Sequence, residues 1–275
     1  MWSERGSGLP RGWTAGTGDG IMCTLLVTAA SPISVETERY NLRLASDVSD
    51  VRAAQRLRYE VFNVEMGEGL VTSFASGMDS DAFDAVCDHL IVREKATDTV
   101  VGTYRLQTGV EAGLRLGYYS EQEFDFTPFE SVREEVVELG RACVAREHRN
   151  QSVLGLLWRG IAQYAQRHGG RYLVGCSSLT SRDADEGLAV YAQLASRHLA
   201  APGWRTSPQP GLECRATAGA PVMEAKIPRL MAAYLAVGAT ICGEPAIDRE
   251  FGTVDFLTWL DLRAMPERVY RKFMG

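Results

Sequence analysis

A glutamate and an arginine stand close together inside an otherwise apolar run, Val136-Val137-Glu138-Leu139-Gly140-Arg141-Ala142-Cys143-Val144. Strand alternation puts Glu138 and Ala142 on one face and Arg141 and Cys143 on the other, unless a bulge intervenes. Burying an ion without partners costs several kcal/mol, so charges in a central strand have partners or a task. The plainer alternative is a Glu–Arg pair that only stabilises a sheet. Cys143 beside Arg141 suggests a nucleophilic thiol, but small cysteines are common in core strands, and covalent catalysis is not expected.

A second candidate centre is Arg146-Glu147-His148-Arg149-Asn150-Gln151-Ser152, at the junction between that strand and a strongly periodic helix. Free amides at a helix start, reinforced by Arg146 and Arg149, suit a phosphate; a solvated helix end is the alternative. The third is Arg58-Tyr59-Glu60-Val61-Phe62, with Arg58 and Phe62 on one helical face, together with Asp81-Ala82-Phe83-Asp84 and Arg105. Taken singly these are ordinary: a lone helical Arg is mostly a surface residue, and an Asp pair in a loop is mostly a turn or cap. His89, His148, His168 and His198 lack metal-ligand company, and no metal is expected. The six cysteines form no C-x-x-C pair, which disfavours a disulfide framework and fits reduced thiols in a cytoplasm.

These residues need elements to position them. Tyr40 to Ala45 alternates as a strand, and Asp47 or Ser49 can cap a helix carrying Val51, Ala54, Leu57, Val61 and Phe62. Residues 66–81, rich in Gly and Ser, are expected to form a mobile loop able to cover a site. His89 to Glu94 and Val100 to Leu106 form a hairpin about Ala96-Thr97-Asp98, and Val136 to Val144 is the next strand. Asn150 to His168 is a helix stopped by Gly169-Gly170, Tyr172 to Cys176 a strand and Ala184 to His198 a helix. Residues 201–221 carry Pro, Gly and Thr with little periodicity. A helix over Arg229 to Val237, a strand over Val254 to Leu262 and a last helix from Pro266 complete the chain.

With 275 residues, 45% of them hydrophobic, the chain can bury a substantial core; its net charge of -6 provides no basic patch for nucleic acid. No apolar run reaches the ~18 to 20 residues of a membrane-spanning helix, and Cys23 to Ala30 is the longest approach to one. Residues 1–38 are expected to be a disordered leader without the pattern of a secretory signal, Met22 being an alternative start. Residues 39–275 are expected to form one domain with an irregular insertion near 200–226.

Taken together, Arg58 to Phe62, Asp81 to Asp84, Val101-Gly102-Thr103-Tyr104-Arg105-Leu106 and Glu138-Leu139-Gly140-Arg141 resemble the ordered signature of acyl-homoserine lactone synthases. Cys87-Asp88-His89-Leu90, Arg141 to Val144, Leu157-Trp158-Arg159-Gly160, Cys242-Gly243-Glu244-Pro245-Ala246 and Asp255-Phe256 are more similar to the related ornithine N-acyltransferases of ornithine lipid synthesis, sometimes labelled hemolysin-like. The similarity runs from about Leu42 to the end. It implies an α/β chain of the GNAT fold: a mixed, mostly antiparallel twisted sheet, splayed at the acyl-donor site and flanked by helices. Two departures matter. The 146–152 loop has no glycine, unlike the coenzyme A loop of ordinary GNAT acetyltransferases, and the tryptophan usual after R-x-x-V-F is absent around Glu65 to Leu70, which argues against lactone synthesis.

The resemblance implies transfer of a long-chain (3-hydroxy)acyl group to the α-amine of ornithine, giving lyso-ornithine lipid. No cofactor is permanently bound; the donor is a phosphopantetheine thioester of acyl carrier protein, with acyl-coenzyme A second. Acyl transfer to a protonated amine needs a base and oxyanion stabilisation. Glu138 is the candidate base, acting through a water. The amides of Ala142, Cys143 and Val144 would bind pantetheine and polarise the thioester, and Arg146, Arg149, Asn150, Gln151 and Ser152 would hold its phosphate. Arg141 and Arg105 would either hold the acceptor carboxylate or order the acidic loop, Arg58 belongs with them, and Asp81 or Asp84 would meet the acceptor's second ammonium. Phe62, Phe83, Trp158 and the apolar face of 229–237 are expected to line an acyl slot. Synthesis of another N-acyl amino acid and a non-catalytic lipid-binding role are the alternatives. The enzyme is expected in the cytoplasm, with peripheral contact at the inner membrane face.

Overall fold

The computed structural model describes residues 32–218 and 226–274. Of the expected leader, residues 1–31 lie outside the described residues, whereas Ser34–Glu36 forms strand β1, antiparallel to β2 (Tyr40–Leu44). Helix α1 (Val48–Tyr59) begins where the Asp47 side chain accepts hydrogen bonds from the Ser49 and Asp50 amides, satisfying two of the orphan donors of the first turn. It continues as a π-helical stretch over Glu60–Met66, which Gly67 ends at φ 70°. The following loop contains a short helix, α2 (Ser73–Ser76), before strands β3 (Asp88–Glu94) and β4 (Thr99–Thr108) form the expected hairpin.

Between β4 and β5 (Val136–Val144) the chain folds into α3 (Gly109–Leu114) and 3₁₀ stretches at Tyr119–Gln122 and Thr127–Glu135. Helix α4 (Gln151–Arg167), β6 (Tyr172–Leu179) and α5 (Ala184–His198) follow. The irregular insertion has a 3₁₀ turn at Pro202–Trp204 and bridges from Pro208 to Phe124 and from Glu213 to Ala246; residues 219–225 lie outside the described residues. The chain closes with α6 (Arg229–Ala236), β7 (Thr240–Ile241), β8 (Ala246–Asp248), β9 (Thr253–Asp261) and α7 (Glu267–Met274).

Among the described residues nine strands form one sheet in the order β1-β2-β3-β4-β5-β6-β9-β7, with β8 also on β9, and of the strand pairs only β5 and β6 run parallel. Across the sheet, α4 buries Val153, Leu156, Leu157, Ile161 and Ala165 in one cluster with Leu42, Leu90, Val92 and Val101. Each such aliphatic side chain contributes about 1.5–3 kcal/mol on burial. Gly160 permits the close approach, since a Cβ there would stand within 3 Å of the Leu42 and Leu90 methyls.

The parallel pair is where the sheet opens. β5 and β6 are paired from Val136↔Tyr172 to Glu138↔Val174, and beyond that point they part although both strands continue. Gly175 marks the parting: a Cβ there would lie 2.1 Å from the Leu139 carbonyl oxygen. This is the splayed sheet the resemblance implies, and Leu139 to Val144 have no partner on the β6 side.

Candidate active site

The bulge left open by the sequence is present. Thr103 pairs with Cys143 and Arg105 with Gly140, so Arg141 and Ala142 together oppose Tyr104, and Arg141 has φ 50°. A non-glycine residue held there costs of order 1–3 kcal/mol unless its surroundings over-determine it. Here they do: Arg141 Nε is 3.2 Å from Asp79 Oδ1, its Nη2 is 2.9 Å from Asp81 Oδ2, and its guanidinium lies 4.7 Å from the ring centres of Tyr119 and Phe251.

Arg58 and Arg105 close the same network. Arg58, fully buried, reaches Asp79 Oδ1 at 2.9 Å and Asp84 Oδ2 at 2.6 Å; Arg105 reaches Asp81 Oδ1 at 2.6 Å and Asp84 Oδ1 at 3.2 Å. Burial opposes ionisation of Asp84, but Arg58 and Arg105 hold its carboxyl well below the usual aspartate range; Asp81 is lowered in the same way by Arg105 and Arg141. Three arginines and three aspartates thus neutralise one another and pin the 79–84 loop to the sheet. In this arrangement the arginines are paired with the acidic loop, and the Asp81 and Asp84 carboxylates are taken up by arginine rather than left open to a substrate ammonium. Asp79, the most buried of the three, was missed because nothing local distinguishes it from a loop aspartate.

Glu138 is also enclosed. Its Oε2 accepts from Gln107 Nε2 (2.7 Å) and the Tyr119 amide (2.9 Å), and its Oε1 from the Ser120 amide (2.8 Å) and Ser120 Oγ (2.7 Å). Four donors already occupy this carboxylate, so Glu138 can take a proton only through an intermediary, as the sequence reading with a bridging water also supposes. Of the four donors, only the Ser120 hydroxyl can both receive and give a proton.

At the donor end, the start of α4 is partly self-satisfied. Asn150 Oδ1 accepts from the Ser152 and Val153 amides, so these are not the free amides expected for a phosphate. Arg149 makes a bidentate pair with Glu65 at 2.6 and 2.7 Å and donates to the Val144 carbonyl, while Arg146 is exposed. The buried Cys143 thiol is pushed far above the usual range by desolvation, in keeping with a core cysteine.

These parts meet in one cavity of about 830 Å³. One stretch is apolar, lined by Leu154, Leu157, Trp158, Leu173, Met231 and Tyr234, with Phe62 also on the wall. Phe83 is not in it: its ring packs against Tyr119 beneath the Arg105 guanidinium. The middle passes the parting strands, with Glu138 to Val144 on one side and Val174 to Ser178 on the other. The loop after α1 contributes Met66 and Glu68. The far end is acidic, with Glu68, Asp248 and Asp255 in the lining and Glu123 against Cys176 and Asp255. Desolvation, aided by Asp255, raises Glu123 well above the usual glutamate range, and Asp255 is raised chiefly by its own burial. Reasoning from sequence missed this end, yet Asp255 stands in an apolar strand just as Glu138 does.

A family model described as Acetyltransferase (GNAT) domain matches residues 57–159, from α1 to α4. The L-ornithine N(alpha)-acyltransferase of Rhodobacter capsulatus is 33% identical over 261 residues, covering 89% of this chain and 96% of that protein. The protein of the same name from Brucella abortus is 32% identical over 248 residues, covering 85% and 88%. Among solved structures, FeeM, an N-acyl amino acid synthase from uncultured soil microbes, superposes with a TM-score of 0.51 at 11% identity over 83% of this chain and 95% of that one, a likeness of fold. With the split sheet and identity sustained along nearly the whole length of these relatives, the chain belongs to the L-ornithine N(alpha)-acyltransferase family of GNAT-fold acyltransferases.

Proposed function

We propose that this enzyme moves a long-chain (3-hydroxy)acyl group from a phosphopantetheine thioester to the α-amine of ornithine, giving lyso-ornithine lipid. The observation that carries this reading is the single cavity joining an apolar slot, the parted strands and an acidic end. The acyl chain occupies the slot under α4 and α6. The thioester carbonyl lies at the parting, where amides of Ala142 to Val144 polarise it and stabilise the tetrahedral oxyanion. The α-ammonium gives one proton to Ser120 Oγ, whose own proton passes to Glu138; the freed amine nitrogen bonds to the carbonyl carbon, and as the C–S bond breaks the nitrogen loses a second proton, which the departing thiolate takes up to leave as the thiol. Glu138 thereby serves as the terminal acceptor of a relay, and its bonds to the Tyr119 and Ser120 amides keep that relay in register.

Acyl carrier protein is the preferred donor: the 146–152 loop has no glycine, and Asn150 occupies amides that a pyrophosphate would need. The exposed Arg146 suits a single phosphate on an acidic carrier. No helix among the described residues is long and apolar enough to cross a membrane. Delivery of a lipid product by peripheral contact is supported by the exposed Val64, Met66, Val71 and Phe74 beside the cavity mouth.

The test is mass spectrometry of products from purified enzyme, 3-hydroxyacyl carrier protein or acyl-coenzyme A, and an equimolar amino-acid pool containing ornithine. Acyl-ornithine is expected to dominate; another acyl amino acid would change the acceptor, and no product with either donor would end the reading. Within it, Ser120→Ala and Glu138→Gln should each reduce kcat by about 10²–10⁴. A folded Ser120→Ala enzyme with normal turnover would exclude the relay.

A further inference from the structure

The acidic end of the cavity differs from every other charged cluster in the protein. Glu123 and Asp255 are 4% and 3% exposed, and their carboxylates and the Cys176 sulfur each offer an atom within 4.8 Å of the others. Among the described residues, no Lys or Arg is ion-paired with Glu68, Glu123, Asp248 or Asp255, although the neighbouring aspartates 79, 81 and 84 are all paired with arginine. Asp255 lines the cavity; its Oδ2 accepts from Thr253 Oγ1 at 3.3 Å and its carboxyl lies against that of Glu123, whereas neither its Oδ1 nor Oε2 of the equally buried Glu68 is met by a protein donor. Buried acceptors left unmet in this way are costly, and more so when charged. Such a cost persists where a ligand meets it.

Resting on the acyltransferase reading above, we propose that Glu123 and Asp255, with Glu68 beside them, form the binding site for the side-chain ammonium of the acceptor and thereby select a diamino acid. Geometry favours an organic ammonium. Two acceptors each about 2.8 Å from one tetrahedral nitrogen lie about 4.6 Å apart, and the cluster is tight enough for one such nitrogen, its atoms being no farther than 4.8 Å from one another. Glu123 follows Ser120 by one 3₁₀ turn, its amide donating to the Ser120 carbonyl at 3.2 Å. One such turn advances about 6 Å, of the order of the extended span between the two nitrogens of ornithine. An α-amine at the Ser120 relay therefore sets the δ-ammonium among the carboxylates. A metal fits less well: Cys176 is fully desolvated beside two acids, which pushes its thiol well above the usual range, and the protonated sulfur donates toward Glu123 at 3.7 Å.

The experiment compares ornithine with norvaline, which keeps the α-amine, carboxylate and chain but lacks the δ-amine. It uses wild type, Asp255→Asn and Glu123→Gln, with thermal melts to establish that each variant is folded. Wild type is expected to prefer ornithine by at least about 10²-fold in kcat/KM, because a site built for hydrogen bonding rejects the analogue that leaves it unmet. In either variant that ratio should collapse, chiefly through a higher KM for ornithine. Calorimetric titration of both amino acids, which requires no turnover, separates the two levels of the argument. Ornithine binding that depends on Asp255 in a protein that acylates nothing would uphold the site and reject the reaction. Acyl-ornithine formation with an unchanged ornithine/norvaline ratio in a folded Asp255→Asn enzyme would uphold the reaction and overturn the site. One zinc per chain, retained through dialysis and lost in Cys176→Ser, would also overturn it.

Discussion

Two groups of buried carboxylates lie on either side of Tyr119, and they are built on opposite principles. Asp79, Asp81 and Asp84 are matched by Arg58, Arg105 and Arg141, with separations of 2.6 to 3.2 Å. Glu68, Glu123 and Asp255 are buried as deeply without an arginine among them. In the first group desolvation is offset by fixed countercharges, and the Asp81 and Asp84 carboxyls are held ionised. In the second it is not offset, and the carboxyls are pushed toward the protonated form. The paired group fixes a loop and an unusual backbone turn; in the unpaired group Glu68 and Asp255 line a cavity, with Glu123 against Asp255. Burial alone therefore does not tell a structural acid from a functional one, whereas the presence or absence of a built-in cation does.

The largest effect should come from the paired side. Arg58→Met leaves Asp79 with Arg141 alone and Asp84 with Arg105 alone, so the buried network carries an uncompensated negative charge, and is expected to cost about 3–5 kcal/mol in urea unfolding. A loss below about 1 kcal/mol would erase the distinction, since such small values belong to exposed ion pairs. On the unpaired side, Asp255→Asn should have the opposite sign, leaving stability unchanged or raising it by about 1 kcal/mol, as relief of a strained functional site commonly does. A loss above about 2 kcal/mol would make the acidic end a structural network after all.

The pH dependence should separate the groups more gently. Asp84 is lowered, so its contribution is fully present above the ordinary aspartate value of 3.8 and is lost as pH falls through its folded value. Glu123 is raised from 4.5, so its cost is absent in acid and grows as pH climbs from 4.5 through its folded value. Wild-type stability should thus gain from this group as pH drops from alkaline toward the carboxylate range, then fall below it as the paired group protonates. In Glu123→Gln the gain should shrink and the acid loss remain. Parallel stability curves for wild type and variant would contradict the raised value.

How much of this could be read in the sequence depended on whether the signal was local. Glu138 and Arg141 stood out because a charge within an apolar strand violates an expected pattern, and the bulge was foreseeable for the same reason. The strand and helix from Val136 to Arg167 follow from periodicities of two and 3.6 residues, and the Asp47 and Asn150 caps from residue type. Arg58, Asp81, Asp84 and Arg105 emerged as a set only through their ordered resemblance to known enzymes. Even then their task was misjudged, because the partner that saturates Arg58 and Arg141, Asp79, carries no local mark. Glu123 lies in a 3₁₀ region without periodicity, and Glu68 in a glycine-rich loop. Asp255 obeyed the same rule as Glu138 and was legible, but its significance depends on Glu123, far away in the chain.

The sequence by itself determined the long central strands and helices, their order, the family and the acyl-transfer chemistry, but not the short β1, β7 and β8 or α2 and α3, because hydrophobic period, caps and ordered motifs act over a few residues at a time. Tertiary structure alone decided which charges meet a countercharge and which face the cavity. The energy of an ion depends on its distance to other charges and on the water removed from around it. Neither quantity exists until strands from distant parts of the chain lie side by side.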